Sequence, residues 1–261
     1  MLIHHELIKS DNPNANLLPV VVLIHGLFGE GKNLKVLSDA ISKQYNTLTV
    51  DLRNHGHSFH DPSHNYQCMA IDIIKLLDYL NIFSVNLIGH SMGGKVVMQL
   101  AQKNTTPQQI KINKLIVLDI APVKYIERKH DDVFLALNQV IIKGCKTRLE
   151  ASKIMNQFIE SPAIIQFLLK SFDKGSWRFN LNILEHNYEE ILNWHEISPS
   201  DKEILFLIGA NSDYVIPSYK TSIIKQFPLS KAHIIAGADH WVHADRPEQV
   251  LKQILRFFDS V

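Results

Sequence analysis

The sequence predicts an α/β fold with a mainly parallel central sheet, helices on both of its faces and one helical insert. Three observations carry this prediction. Apolar runs without polar alternation recur along the chain, as is typical of strands buried on both faces. Segments with helical periodicity separate these runs. Between residues 122 and 201 the strand pattern is lost, and helix-like segments follow one another.

The strands are predicted from short apolar runs that end in turn-forming residues. The first run covers residues 19–24 and ends at His25-Gly26. Five later runs have the same character and cover residues 46–51, 85–88, 114–119, 203–209 and 232–237. Because strands alternate with helices, crossover connections are expected to build a parallel sheet.

The helices are predicted from apolar residues spaced three and four apart. This spacing occurs in residues 33–43, 69–80, 94–101 and 247–258, and within the insert in residues 132–142, 148–159, 163–169 and 181–192. We therefore assign residues 1–121 and 202–261 to the sheet core. Residues 122–201 are predicted to form a helical cap.

The composition excludes several classes of protein. Of the 261 residues, 46% are hydrophobic and 20% charged, and the net charge of +1 gives no attraction to nucleic acid or to an anionic membrane. Cys68 and Cys145 are isolated, which favours a reducing compartment. No secretory signal or membrane-spanning run is recognisable, so we interpret the chain as cytoplasmic, without a nucleic-acid partner or a membrane span.

The pentapeptide Gly89-His90-Ser91-Met92-Gly93 is the clearest chemical motif. It follows a predicted strand and precedes a predicted helix, which is the context of a nucleophile elbow. In that turn the serine hydroxyl projects clear of the sheet, and the flanking glycines avoid clashes with neighbouring backbone. Ser91 is therefore the candidate nucleophile. An ordinary glycine-rich turn is the alternative interpretation.

A serine nucleophile needs an adjacent base, and His240 is the candidate among 14 histidines. It lies between the last predicted strand and the last helix, at the same sheet edge as Ser91. Backbone N–H groups must also stabilise the developing oxyanion. We expect these donors to be Met92, which follows the nucleophile, and Leu27, in the loop after the first long strand.

The acid that supports the histidine has two candidates on pattern alone. In this chain order it must lie between the serine and the histidine. Asp119 and Asp213 both follow predicted core strands in that interval. Asp213 is slightly preferred from the pattern, because its loop carries the acid in many hydrolases of this type.

Several motifs together resemble the bacterial YbfF-type esterases of the α/β-hydrolase superfamily. The motifs that carry the resemblance are His25-Gly26-Leu27-Phe28-Gly29, Asp51-Leu52-Arg53-Asn54-His55-Gly56, Gly89-His90-Ser91-Met92-Gly93-Gly94-Lys95, Asp119-Ile120-Ala121-Pro122-Val123, Gln166-Phe167-Leu168-Leu169-Lys170-Ser171-Phe172, Trp177-Arg178-Phe179-Asn180 and His240-Trp241-Val242-His243-Ala244. They cover nearly the whole chain and include the otherwise variable insert. The chain departs from the family by carrying both aspartates and a longer polar connection at residues 104–113.

The resemblance implies an esterase or thioesterase that acts on acyl esters or acyl-CoA thioesters without a cofactor. It also implies that Asp119 is the acid, which reverses the preference for Asp213. Ser212 is then an auxiliary residue that adds a hydrogen bond at the His240 site. The substrate is expected to be a small acyl ester or thioester.

Candidate substrate-binding residues are Phe28, Trp177, Arg178 and Trp241, with core packing as the alternative for the tryptophans. No metal site is expected. The spacing of His57, His60 and His64 is loosely metal-like, but we interpret their segment as a solvated loop, because no acidic or cysteine partners accompany them.

Three groups of alternative functions use or modify this fold. A serine at the elbow argues against haloalkane dehalogenases and epoxide hydrolases, which need a carboxylate nucleophile. Carbon–carbon bond hydrolase, haloperoxidase-like and acyltransferase chemistry would keep the same triad. A ligand receptor without turnover is the alternative from a different class.

Overall fold

A seven-stranded sheet forms the centre of the described structure, a computed structural model that covers residues 1–102 and 109–259. The strands of the chain are β1 (His5–Ile8), β2 (Val20–Ile24), β3 (Thr47–Val50), β4 (Ser84–His90), β5 (Lys111–Leu118), β6 (Phe172–Asp173), β7 (Ser176–Trp177), β8 (Glu203–Gly209) and β9 (Ser230–Ile235). The large sheet has the spatial order β1-β3-β2-β4-β5-β8-β9. Of the long polar connection before β5, residues 104–108 lie outside the described residues.

The strands from β3 to β9 in this order run parallel, and β1 pairs with β3 in the antiparallel sense. The predicted, mainly parallel sheet is therefore confirmed. Strand β1 was not anticipated, because it is only half buried and has no continuous apolar run. Parallel pairing brings the carboxyl ends of β2, β4, β5, β8 and β9 to one edge of the sheet.

The helices are α1 (Lys35–Ile41), α2 (Tyr66–Tyr79), α3 (Met92–Leu100), α4 (Asp131–Ile142), α5 (Arg148–Met155), α6 (Pro162–Leu169), α7 (Leu181–His186), α8 (Tyr188–Leu192), α9 (Lys220–Gln226), α10 (Val242–Asp245) and α11 (Pro247–Asp259). Helices α1 and α11 pack on one face of the sheet, and α2 and α3 pack on the other. Alternate residues of β2 serve the two layers: Val21 and Leu23 face α1 and α11, whereas Val22 and Ile24 face α2 and α3.

Helices α4 to α8 lie between β5 and β8, in the segment that the sequence predicts as a helical insert. Local capping explains where two of them begin. Thr147 and Glu150 form a reciprocal capping box at α5, and Ser161 caps α6 with Pro162 in its first turn. The paired strands β6 and β7 also lie here, and they are too short to give a sequence signal. Residues of the insert share one apolar core with α2 and α3.

Candidate active site

Ser91 lies on a sharp turn between β4 and α3. Its backbone has φ +51° and ψ −120°, a conformation that side-chain-bearing residues rarely adopt. Any Cβ on Gly89 would overlap the carbonyl of Gly93, and any Cβ on Gly93 would overlap the carbonyl of Ile24. The Ser91 N–H donates to the Leu118 carbonyl at 3.0 Å, which anchors the turn to the end of β5. This geometry is that of a nucleophile elbow.

His240 lies in the loop after β9 and contacts Asp119 directly. Its Nδ1 is 2.8 Å from Asp119 Oδ2. A carboxylate can only accept, so Nδ1 carries a proton, and the neutral form of this imidazole has its lone pair on Nε2. The His240 side chain is 21% exposed, whereas that of Asp119 is fully buried. His240 also lines one cavity together with Ser91.

Two further donors fix the Asp119 carboxylate. The backbone N–H of Gly209 donates to Oδ1 at 2.9 Å, and the Ser212 hydroxyl donates to Oδ2. Ser212 therefore reaches the site through Asp119 and contacts the acid rather than the imidazole. The backbone of Asp119 has φ +53°, so the residue turns sharply out of β5. Its carboxylate accepts three hydrogen bonds, as expected of a buried, orienting acid.

Asp213 lies in the loop after β8 but points away from His240. Its side chain is 74% exposed, and its carboxylate pairs with Lys129 Nζ at 2.5 Å. Lys129 in turn lies 4.5 Å above the ring of Tyr214. Of the two aspartates that the sequence leaves as candidates, only Asp119 is hydrogen bonded to His240 among the described residues.

The loop after β2 packs directly against the elbow. A Cβ on Gly26 would lie 3.2 Å from Ser91 Cβ, so a side chain there would crowd the elbow. Leu27 and Met92 both line a small cavity that reaches Ser91. The hydrogen bonds within residues 1–102 and 109–259 leave the backbone N–H groups of Leu27 and Met92 without an acceptor. These two donors are therefore available to a ligand oxygen.

A cavity of about 610 Å³ lies above the elbow, between the core loops and α6. Phe28 and Trp241 are in its lining, and Trp241 packs against Phe167 of α6 with ring centroids 5.3 Å apart. Its volume falls in the ordinary range for small-molecule sites. A second cavity of about 30 Å³ also reaches Ser91, with Lys95 in its wall.

The structure does not bring Trp177 or Arg178 to either cavity. Trp177 is buried in the insert, where it stacks on Phe179 and donates its indole N–H to the Leu137 carbonyl. Arg178 pairs with Glu30 at 3.5 Å. The surroundings of Trp177 are those of a residue packed in the core, which is the alternative interpretation given for it from the sequence.

Two residues at the site were missed by sequence reasoning. The ring of Tyr214 stacks on His240, with centroids 3.8 Å apart. Lys95 is buried one turn after Ser91, and its ammonium donates to the carbonyls of Leu192 and Asn193 at the end of α8. Burial without a carboxylate partner lowers the pKa of Lys95 to about 7. Only the position of Lys95, one helical turn after the elbow, could have indicated it.

The interpretation of residues 57–64 as a solvated loop needs a correction. His57 and His60 are exposed, but His64 is fully buried beside His55, and burial lowers its pKa to about 3. The loop folds inward at this point because Asn54 pairs with both Asp61 and the His64 ring. In the part of the chain that the structure describes, no three His, Cys, Asp or Glu residues form a group able to hold a metal ion. No helix there is long and apolar enough to cross a membrane.

Comparison with known proteins agrees with this geometry. Residues 19–247 match the family model described as the alpha/beta hydrolase fold. The chain belongs to the α/β-hydrolase family. It is 46% identical over 240 residues to an esterase named YbfF from Escherichia coli (strain K12), covering 92% of this chain and 93% of that protein. The predicted resemblance to YbfF-type esterases is thereby confirmed.

Two further relatives extend the comparison. A mouse protein (Mus musculus) named sn-1-specific diacylglycerol lipase ABHD11 is 34% identical over 252 residues, covering 92% of this chain and 81% of that protein. A solved structure titled marine microorganism esterase superposes with a TM-score of 0.90 at 31% identity, covering 98% of this chain and 99% of that one. The predicted α/β-hydrolase fold is therefore confirmed, and this member of the family is an ester hydrolase.

Proposed function

We propose that this α/β-hydrolase cleaves acyl esters and acyl-CoA thioesters through a Ser91–His240–Asp119 triad. The observation that carries the proposal is the hydrogen bond from His240 Nδ1 to the buried Asp119 carboxylate, in the same cavity as Ser91. That bond leaves the lone pair of Nε2 free to accept the serine proton. No metal or cofactor takes part in this proposal.

The reaction proceeds in two steps. Ser91 Oγ attacks the acyl carbon while its proton passes to His240 Nε2, and the Leu27 and Met92 N–H groups bind the oxyanion. The carbon–oxygen or carbon–sulfur bond then breaks, and the imidazolium returns the proton to the leaving alcohol or thiol. Water attacks the acyl-enzyme with His240 as base, which releases the carboxylic acid and restores Ser91. Asp119 stabilises the imidazolium throughout.

We further propose that residues 122–201 act as a cap over the site. Support comes from α6, which lines the large cavity through Ile164, Phe167 and Leu168. Apolar walls of this kind suit the acyl chain or the leaving group of an ester, with Phe28 and Trp241 on the core side. A reducing, cytoplasmic location is also part of the proposal, because Cys68 and Cys145 are both unpaired.

A fluorophosphonate probe tests the serine mechanism. We expect the probe to label the wild-type protein, and Ser91→Ala to abolish both labelling and hydrolysis of p-nitrophenyl esters. A panel of p-nitrophenyl esters and acyl-CoA thioesters with matched acyl chains then compares the two substrate classes by kcat/KM. Undiminished turnover by Ser91→Ala would overturn the mechanism. Thioester turnover at background levels would remove thioesters from the proposal.

A further inference from the structure

The backbone of Phe28 is held in an unfavourable conformation in the loop next to the elbow. Phe28 has φ +62°, in the left-handed region where a side chain is strained. The residue is almost fully buried, and its ring packs against Phe134 and Phe179 of the insert. A strained backbone persists only when its surroundings hold it there. The groups that hold Phe28 therefore fix the chain directly after Leu27, whose own N–H belongs to the preceding peptide.

His55, in the loop after β3, holds the peptide before Phe28, which joins Leu27 to Phe28. The Phe28 N–H donates to His55 Nε2 at 3.2 Å, and His55 Nδ1 donates to the Arg53 carbonyl at 3.0 Å. The second bond places the ring proton on Nδ1, so Nε2 is free to accept. His55 is completely buried, and burial keeps its pKa well below the usual value. It is therefore a neutral acceptor with a fixed tautomer.

Ser171, in the insert, holds the peptide after Phe28, which joins Phe28 to Gly29. Its hydroxyl donates to the Phe28 carbonyl at 3.3 Å, and the residue is buried. Ser171 and His55 belong to two of the family-like motifs, and neither residue has a role in the proposed function. The Phe28 backbone is thus bonded on one side to the sheet core and on the other to residues 122–201.

We propose that His55 and Ser171 are positioning residues that clamp Phe28 and thereby aim the Leu27 N–H at the oxyanion. The Leu27 N–H lies in the peptide that joins Leu27 to Gly26, and Gly26 is next to Ser91. A shift of the clamped chain after Leu27 therefore also moves this donor relative to the reacting carbonyl. Oxyanion donors act only when they are held in place before the charge develops. The oxyanion site is then complete only when the insert is docked on the core. This inference rests on the proposed function, because it assigns a task to the same oxyanion site.

The test compares His55→Leu, which cannot accept a hydrogen bond, with His55→Gln, whose amide oxygen can. For His55→Leu we expect kcat on p-nitrophenyl acetate to fall by roughly 10- to 100-fold with little change in KM. Affinity for an alkyl trifluoromethyl ketone, which forms an oxyanion on Ser91, should fall by a similar factor. His55→Gln should recover most of both losses. His64→Leu is the matched control, because His64 is equally buried in the same loop and makes no hydrogen bond to residues 25–29.

Ser171→Ala gives a second, independent reading. We expect a roughly 3- to 10-fold loss of kcat, since a single neutral hydrogen bond is removed. The double variant with His55→Leu should lose less than the product of the two single effects, because both changes release the backbone of one residue, Phe28. Unfolding midpoints measured for every variant identify those that fail to fold.

The outcomes separate this inference from the proposed function. Wild-type kcat in both His55→Leu and Ser171→Ala would overturn the clamp while leaving the triad intact. A loss in His64→Leu equal to that in His55→Leu would overturn it too, since the effect would then be general destabilisation of the loop. Retained turnover in Ser91→Ala would overturn the proposed function itself.

Discussion

Replacement of Asp119 by asparagine probes the hydrogen bond on which the proposed triad depends. The carboxylate accepts from His240, Gly209 and Ser212, and asparagine offers only one accepting oxygen. If that oxygen keeps the Gly209 N–H, the new amide N–H group faces His240 Nδ1. The imidazole must then present its lone pair at Nδ1 and carry its proton on Nε2. It can no longer take the proton of Ser91.

The expected loss follows from this change of tautomer. In serine hydrolases the wrong tautomer lowers kcat about 10⁴-fold, which corresponds to about 5 kcal/mol of transition-state stabilisation. Asp213→Asn is the matched control, because Asp213 lies next to Ser212 in sequence but makes an exposed ion pair with Lys129. Exposed ion pairs contribute about 1 kcal/mol or less, so its effect on kcat should be less than about 5-fold.

The assay is steady-state hydrolysis of p-nitrophenyl acetate by both variants, with unfolding midpoints as a folding control. The reasoning is refuted if Asp119→Asn keeps more than a tenth of wild-type kcat while folding normally. A loss in Asp213→Asn as large as that expected for Asp119→Asn would also refute it. In that case Asp213 would have to exchange its Lys129 partner for His240 during turnover.

Two further predictions concern substrate contacts and pH. Trp177→Ala should lower the free energy of unfolding by about 3–5 kcal/mol, since the side chain is buried in packed core. Trp241→Ala, at the cavity wall, should instead raise KM for longer acyl esters and leave the free energy of unfolding unchanged. The prediction is contradicted if Trp177→Ala and Trp241→Ala raise KM equally. Burial lowers the pKa of His64 and His243 to about 3 and that of His130 to about 4. The unfolded chain protonates them near pH 6.5, so stability is complete above that pH and falls between pH 6.5 and 4, by about 1.4 kcal/mol per pH unit for each group. Urea titrations of wild type and His64→Gln should show a shallower loss in the variant, and identical slopes would exclude His64 from the effect.

The parts of the fold that the sequence predicts are those with a local physical cause. Strands β2 and β8 are buried on both faces, so their continuous apolar runs are visible in the sequence. Strand β1 escapes because it pairs at the sheet edge and none of its four residues is buried. The β6–β7 hairpin escapes because two-residue strands have no period to detect.

The residues of the candidate site also divide into those that the local sequence predicts and those that depend on tertiary packing. Ser91 is predictable because its turn, its flanking glycines and the following helix are contiguous in sequence. The choice between Asp119 and Asp213 is not local, because each follows a core strand and only tertiary packing decides which carboxylate points at His240. The tryptophans show the same limit, since a large aromatic residue in the insert can pack inward, as Trp177 does, or line the cavity.

The two walls of the large cavity come from separate stretches of the chain. Ser91 and His240 follow strands of the sheet and line one side, whereas α6, residues 162–169, supplies the opposite apolar side. In the proposed function, the apolar residues that contact the substrate and the residues that carry out the reaction therefore lie in separate parts of the sequence. Natural or engineered substitutions in α6 can then alter substrate selectivity, while Ser91, Asp119 and His240 stay unchanged. A protein organised in this way can change its substrate range and keep the same reaction mechanism.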